Sequence, residues 1–189
     1  MTSLPGSNPM DRRGVIFAGV VISALGALTY NLLPLFLGSA QDYRGLSDQA
    51  VGILSSSFYV GFTLATVTAF FWIRRFNWRV VTFVAVPIAA IAMLTVGQTA
   101  EYGVMLGAMA CAGGAFSVLY GIGTTVLSDT SQPARWYGLK IASEAGLGAV
   151  LMLTLPGIVV ARWGFGGLMD AMAGVVVGEV ADRALFYAE

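Results

Sequence analysis

The segment YGLKIASEAGLGAVLMLTLPG, residues 137–157, sets a lysine and a glutamate four positions apart in a run otherwise fit for hydrocarbon. Lys140 and Glu144 therefore share one helical face and can pair directly, although base before acid is the less favoured order for an i, i+4 pair. The lysine lies about one turn into the run, where its long stem is expected to snorkel to the headgroups. The glutamate lies a turn deeper, roughly 10 Å from Tyr137 at 1.5 Å per residue, and its shorter side chain needs a partner or a proton. Burial raises a carboxyl pKa and a neighbouring cation lowers it, so spacing alone leaves the charge of Glu144 open. The expectation is an inward-facing Glu144 that couples to protonation, substrate or a gating contact.

Other polar side chains recur at helical spacing. Ser23, Tyr30, Asn31 and Pro34 mark one apolar run, and Gly52, Ser56, Tyr59, Thr63 and Thr66 lie close to one face of the next. A polar face on a membrane helix is expected to look inward, and both interhelical hydrogen bonding and a water-filled cavity account for it. Tyr30, Asn31, Ser56, Tyr59, Thr63, Tyr120 and Glu144 are the candidates for lining a substrate path. Gly103 and Gly107, followed by Ala110 and Gly114, have the small-xxx-small spacing that lets helices approach in lipid, and Gly146 and Gly148 offer the same in a later run. Cys111, the single cysteine, lies in an apolar run and reads as a buried packing thiol.

These residues must be carried by membrane-spanning helices. Of 189 residues 57% are apolar and 11% charged, a balance foreign to soluble domains, and several apolar runs reach the roughly 20 residues that cross a bilayer core. The expected class is all-α: a polytopic membrane protein with a six-helix bundle in one transmembrane domain, residues 14–187, after an N-terminal tail, 1–13. The spans fall at about 14–38, 49–73, 79–98, 102–127, 137–162 and 165–187. The first run exceeds the 7–15 residues of a signal-peptide core and reads as a retained span. The last is the weakest, because Asp170, Glu179, Asp182 and Arg183 crowd its short apolar centre. The segment SAQDYRGLSDQ is expected as a loop that caps the second span through Ser47 or Asp48, and LSDTSQPARW as a second loop.

Charge sets direction. With the N-terminus inside, the inner segments hold Arg12, Arg13, Arg74, Arg75, Arg79, Arg135, Lys140 and Arg183, and the outer ones only Arg44 and Arg162. This asymmetry predicts cytoplasmic N- and C-termini, in a bacterial inner membrane. Basic and acidic residues balance at 10 each, which gives no reason to expect nucleic acid. Histidine is absent, so imidazole-ligated metal or haem and a Ser/His/Asp triad are excluded. Gly121-Ile122-Gly123 is no phosphate loop, and neither an enzyme activity nor a cofactor nor a metal site is expected.

In order of features the chain resembles the N-terminal half of a major facilitator superfamily transporter. The first span ends in NLLP, residues 31–34, like that family's N-x-x-P. The second opens LSDQAVGILSSSFYVGF, similar to the family's glycine- and serine-bearing span after a polar cap. WIRRFNWR, with Arg74, Arg75 and Arg79, occupies the place of its basic 2-3 loop motif, and SDTSQPARWYG that of its 4-5 loop. LPGIVVARWGF resembles the end of its fifth helix. Ile73 stands where the loop motif has aspartate and Phe76 where it has glycine. The fourth run lacks the arginine common in proton-coupled members, and Pro156-Gly157 reverses that family's Gly-Pro.

The resemblance implies one of two six-helix halves, with substrate between them near the midplane. The chain then pairs with a second copy or another half, or is a truncated piece, or is no longer a transporter. Two functions stand as expectations. One is secondary transport of a small solute; the other is a non-transporting accessory or assembly subunit of a larger membrane complex. Both need the lipid bilayer and a partner that covers polar helix faces.

Overall fold

A computed structural model describes residues 8–179, and all their regular structure is helical. Residues 1–7 of the expected 1–13 tail and residues 180–187 of the expected sixth span, with Arg183, lie outside the described residues. A short 3-10 turn, Pro9–Asp11, is capped by Asn8, whose side chain accepts from the Met10 N–H at 3.0 Å. It leads into α1, Arg13–Asn31.

The first span is not one helix of 14–38. It breaks at Leu32 (φ −93°, ψ 1°) and resumes as α2, Leu33–Arg44. Pro34 is the reason: it brings no N–H to the ladder, and its ring crowds the carbonyl of Tyr30 four positions back. The polar residues 39–44, expected in a loop, extend α2 by more than a turn until Gly45 terminates it in the left-handed conformation (φ 64°, ψ 28°). The connection to the next helix is therefore only residues 45–47.

Helix α3, Asp48–Trp72, starts on the Ser47 hydroxyl, which accepts from the Ala50 N–H at 3.2 Å. Asn77 caps α4, Trp78–Gln98, in the same manner through the Arg79 N–H. Helix α5 spans Tyr102–Ser128, and α6, Pro133–Leu155, begins a turn before the expected 137 because Pro133 occupies its first position. At Pro156 the missing N–H and the crowded carbonyl of residue 152 shift the ladder into a π-helical turn, Pro156–Val160. The last segment, α7, Ala161–Glu179, contains Gly164 at φ 62° and ψ −155°, a conformation essentially confined to glycine. There the chain leaves the line of α6 and packs along α4.

Among the described residues five helical runs are long and apolar enough to cross a membrane: α1, α3, α4, α5 and the run 133–178, which holds the fifth expected span and residues 165–178 of the sixth. The bundle is thus compatible with a membrane protein. Helix α5 forms its centre and touches α1, α3 and α4; α6 packs chiefly on α1, and α7 on α4 and α2. Ile22, Leu28, Phe36, Phe58, Met93, Phe116 and Leu119 are fully buried around it. Toward the rim burial falls away, and the buried residues of α6 are Lys140, Glu144 and Gly148 alone.

Small residues do set the close crossings, but not the expected pair. A Cβ on Gly61 of α3 would overlap the Ala110 carbonyl oxygen of α5, and one on Gly26 of α1 would overlap the Tyr120 backbone. Gly103 and Gly107 instead face open space, as does Gly146. Cys111 is exposed at the surface of the bundle rather than buried, because α5 turns that side away from α3 and α1.

Candidate functional site

The densest polar chemistry inside the bundle lies where α6 meets α1 and α5. Lys140 Nζ is 2.8 Å from Glu144 Oε1, with the two side chains only 2% and 8% exposed. The same oxygen accepts the Ser23 hydroxyl at 2.8 Å across the α1–α6 contact. Lys140 does not snorkel. Its ammonium lies 4.1 Å from the ring centroid of Tyr120 on α5 and gains a cation–π contact in place of headgroup water. One buried pair thus ties three helices together, and its charges cancel where neither could be solvated.

Tyr120 links this pair to an aromatic cluster. Tyr30 stands edge-on to Phe62 (centroids 6.2 Å, 83°) and to Tyr120 (6.3 Å, 78°), while Phe62 and Tyr120 lie 6.5 Å apart. With Tyr59 these rings line a cavity of about 270 Å³. Asn31, next to Tyr30, lies against Gly148 of α6, where a Cβ would stand 3.5 Å from its own. Tyr30, Asn31, Tyr120, Lys140 and Glu144 are therefore neighbours, drawn from α1, α5 and α6.

The α3 stripe is placed differently from the inward expectation. Ser56, Tyr59, Thr63 and Thr66 are exposed on the outer surface of this chain. Ser56 turns its hydroxyl back to the Gly52 carbonyl at 2.8 Å, and Thr66 bonds both Phe62 O at 2.9 Å and Ser117 Oγ at 2.8 Å. The bonds to Gly52 and Phe62 are local and let a hydroxyl sit on a membrane helix, whereas the Thr66–Ser117 bond joins α3 to α5. Ser56, Tyr59 and Thr63 also line a shallow groove that continues from the aromatic cavity through their shared Tyr59.

At the opposite flank, Arg74 pairs with Asp129 at 3.1 Å and so joins the α3–α4 loop to the end of α5. Arg79 lies over the Trp78 ring at 5.4 Å, and Arg75 is exposed. The spacing puts Ser23 on a polar stripe but does not disclose its partner, and it singles out neither Phe62 nor Asp129. Phe62 carries no polar signal, whereas Asp129, an acid two positions after Leu127 closes the apolar run, is a visible one.

Among the described residues no cluster of His, Cys, Asp or Glu could hold a metal ion. Comparisons with family models, curated proteins and solved structures give no match.

Proposed function

We propose that this chain is a transporter-like integral membrane protein, resembling one six-helix half of a major facilitator. It would move a small solute together with a second half, a copy of itself or another chain. The observation that carries this reading is the sealed Lys140–Glu144–Ser23 cluster set behind an aromatic cavity that opens onto the polar, exposed face of α3. A charge pair away from water is costly, and its position beside a cavity suits a role in substrate coupling or gating. Tyr30, Asn31, Tyr59 and Tyr120 line or flank the path, and Ser56 and Thr63 extend it toward the missing half.

The pattern of helix contacts supports the same reading. If the first three spans are exchanged with the last three, α3 maps onto α6 and α1 onto α5, so the α1–α6 contact becomes the α5–α3 contact. The α1–α5 and α4–α7 contacts map onto themselves, and all four are present. An inverted three-plus-three repeat is the internal plan of such a half. For this reading the gathering of Arg12, Arg74 and Arg79 at one end, with Arg44 and Arg162 at the other, makes the end that carries the start of α1 cytoplasmic.

A second reading, a non-transporting accessory subunit, is favoured by one observation. The charges of the pair do not line the aromatic cavity, so the cluster also suits a purely architectural bolt. Single cysteines at Asn31, Ser56 and Tyr59, in a Cys111→Ser background, separate the two with membrane-impermeant maleimides applied to oriented vesicles. Transport predicts labelling from each side in turn. Protection of all three from both sides would overturn it in favour of the accessory role.

A further inference from the structure

The cavity of about 270 Å³ that α1, α3 and α5 share is lined by aromatic rings throughout: Tyr30, Tyr59, Phe62 and Tyr120. Tyr30 stands close to perpendicular to Phe62 and to Tyr120, at 83° and 78°, so the rings form a corner and not a flat stack. No charged group belongs to the lining. Lys140 and Glu144, behind Tyr120, neutralise each other at 2.8 Å, and at 2% and 8% exposure neither meets a solute. The Tyr120 ring already holds one cation, the Lys140 ammonium 4.1 Å from its centroid. Past Tyr59, the groove of Ser56, Val60, Thr63 and Leu64 adds hydroxyls and alkyl surface. The Ser56 proton is committed to the Gly52 carbonyl at 2.8 Å, which leaves its oxygen to accept.

We propose that this cavity takes an organic cation with a dispersed charge, a quaternary ammonium of about choline size, and that such cations are the solute class of the site. A ring quadrupole attracts a cation to its face and repels an anion, and cages of aromatic rings recognise quaternary ammonium groups in this way. An anion finds no free base here, since Lys140 is engaged and sealed. A primary ammonium would bring N–H donors to a lining of rings, where an unpaired donor is costly, whereas a quaternary nitrogen has no N–H to satisfy. With roughly 30 Å³ as the share of one liquid water, the cavity has room for about nine waters, enough for a choline-sized cation. A hydroxyl arm on that cation reaches the groove, where Ser56 and Thr63 offer acceptor oxygens. That the cation is carried, and not only held, rests on the transport reading above.

The test titrates the purified full chain with three ligands of like shape and reads each Kd by ligand-observed NMR. They are choline, its neutral carbon isostere dimethylbutanol, and the anion dimethylbutanoate. Choline should bind about tenfold more tightly than the alcohol, and the anion most weakly. Tyr59→Leu, at an exposed side chain, should weaken choline about tenfold, and Tyr59→Phe, which keeps the ring, by less than about threefold. Equal binding of the alcohol would make the cavity merely apolar, and tighter binding of the anion would mean that Lys140 reaches the solute. Equal loss in both Tyr59 variants would assign recognition to the hydroxyl, and no binding of any ligand would leave the rings as packing. Each of these four results overturns the proposal. The ligand series on the wild type decides the charge preference even if Tyr59→Leu fails to fold. Maleimide labelling from each side in turn without choline binding removes the cation and leaves transport standing. Choline binding with all three cysteines protected keeps the cation site and removes transport.

Discussion

The Glu144 carboxylate on α6 and the Ser23 hydroxyl on α1, 121 positions apart in sequence, stand 2.8 Å apart and bond inside the bundle. Because the same oxygen holds Lys140, the contact of α6 with α1 is closed by a buried, charge-neutral node. Helix α6 has little other buried surface, so this node decides whether it stays docked.

Removing either charge should therefore cost more than removing both. Glu144→Gln leaves an ammonium in a dry site, and Lys140→Met leaves a carboxylate there; each is expected to destabilise the protein by about 3 kcal/mol or more. The double variant Lys140→Met/Glu144→Gln should recover most of that loss, whereas Ser23→Ala should cost only about 1 kcal/mol. Denaturation of the four variants in detergent, followed by tryptophan fluorescence, measures the coupling. If the double variant is as stable as the wild type yet loses solute flux, the pair serves transport; additive losses would show the charges act independently.

Much of this bundle was legible in the sequence because apolar runs of span length leave few alternatives. The i, i+4 spacing also disclosed Lys140 and Glu144 as a pair. It could not disclose Ser23 or Tyr120 as their partners, since those contacts depend on how α1 and α5 rotate against α6. The same limit explains Gly107 and Cys111: spacing defines a face of α5 but not which face meets a neighbour. The break at Leu32 was foreshadowed by Pro34, whereas the helical extension to Arg44 ran against the polar look of residues 39–44. It is stabilised by local capping at Gly45 and by the 2.6 Å bond from Gln41 Nε2 to Asp48 Oδ1.

Glycine substitutions along α5 and its neighbour should separate by position. Gly61→Ala drives a methyl into the Ala110 carbonyl, and because backbone rather than a flexible side chain is struck, a loss of about 1–3 kcal/mol is expected. Gly107→Ala meets open space and should be neutral or stabilising by up to about 1 kcal/mol from helix propensity. Melting temperatures of the two variants check this directly. A larger loss at Gly107 would mean that a partner helix, absent from this chain, covers that face.

Near the N-terminus, Asp11 accepts the Ser131 N–H at 2.8 Å and Asn8 donates to the Asp129 carbonyl at 2.7 Å, which docks the 3-10 turn on the α5–α6 loop. The bond from the Ser131 N–H holds the Asp11 carboxyl below the usual carboxylate range. A folded-state pKa below the unfolded one means that the contact is fully present above about pH 4 and is lost as pH falls through the lowered value. The Ser131 amide resonance should move in that acidic window in the wild type. Asp11→Asn, which still offers an acceptor oxygen, should abolish the titration without releasing the turn.

At the other end of the bundle, Arg44 donates to the Gly97 carbonyl at the end of α4 and lies 5.8 Å from the Phe165 ring, while Tyr43 donates to the Val160 carbonyl at 3.0 Å. These two residues of α2 clamp the region where the chain passes from α6 into α7. Gly164 completes the clamp, since its backbone conformation excludes side chains and a Cβ would come 2.9 Å from the Tyr43 ring. Gly164→Ala is accordingly expected to cost about 1–3 kcal/mol. Arg44→Ala should cost about 1.5 kcal/mol, the lower end for a charge-assisted bond because the side chain is only half-buried. Arg44→Lys should recover only part, as an ammonium can reach the carbonyl but cannot stack its plane on Phe165. Limited proteolysis of residues 155–166 reads the effect locally: Arg44→Ala and Gly164→Ala should both speed cleavage there, and unchanged rates in both would show that packing of α7 on α4 holds the turn without the clamp.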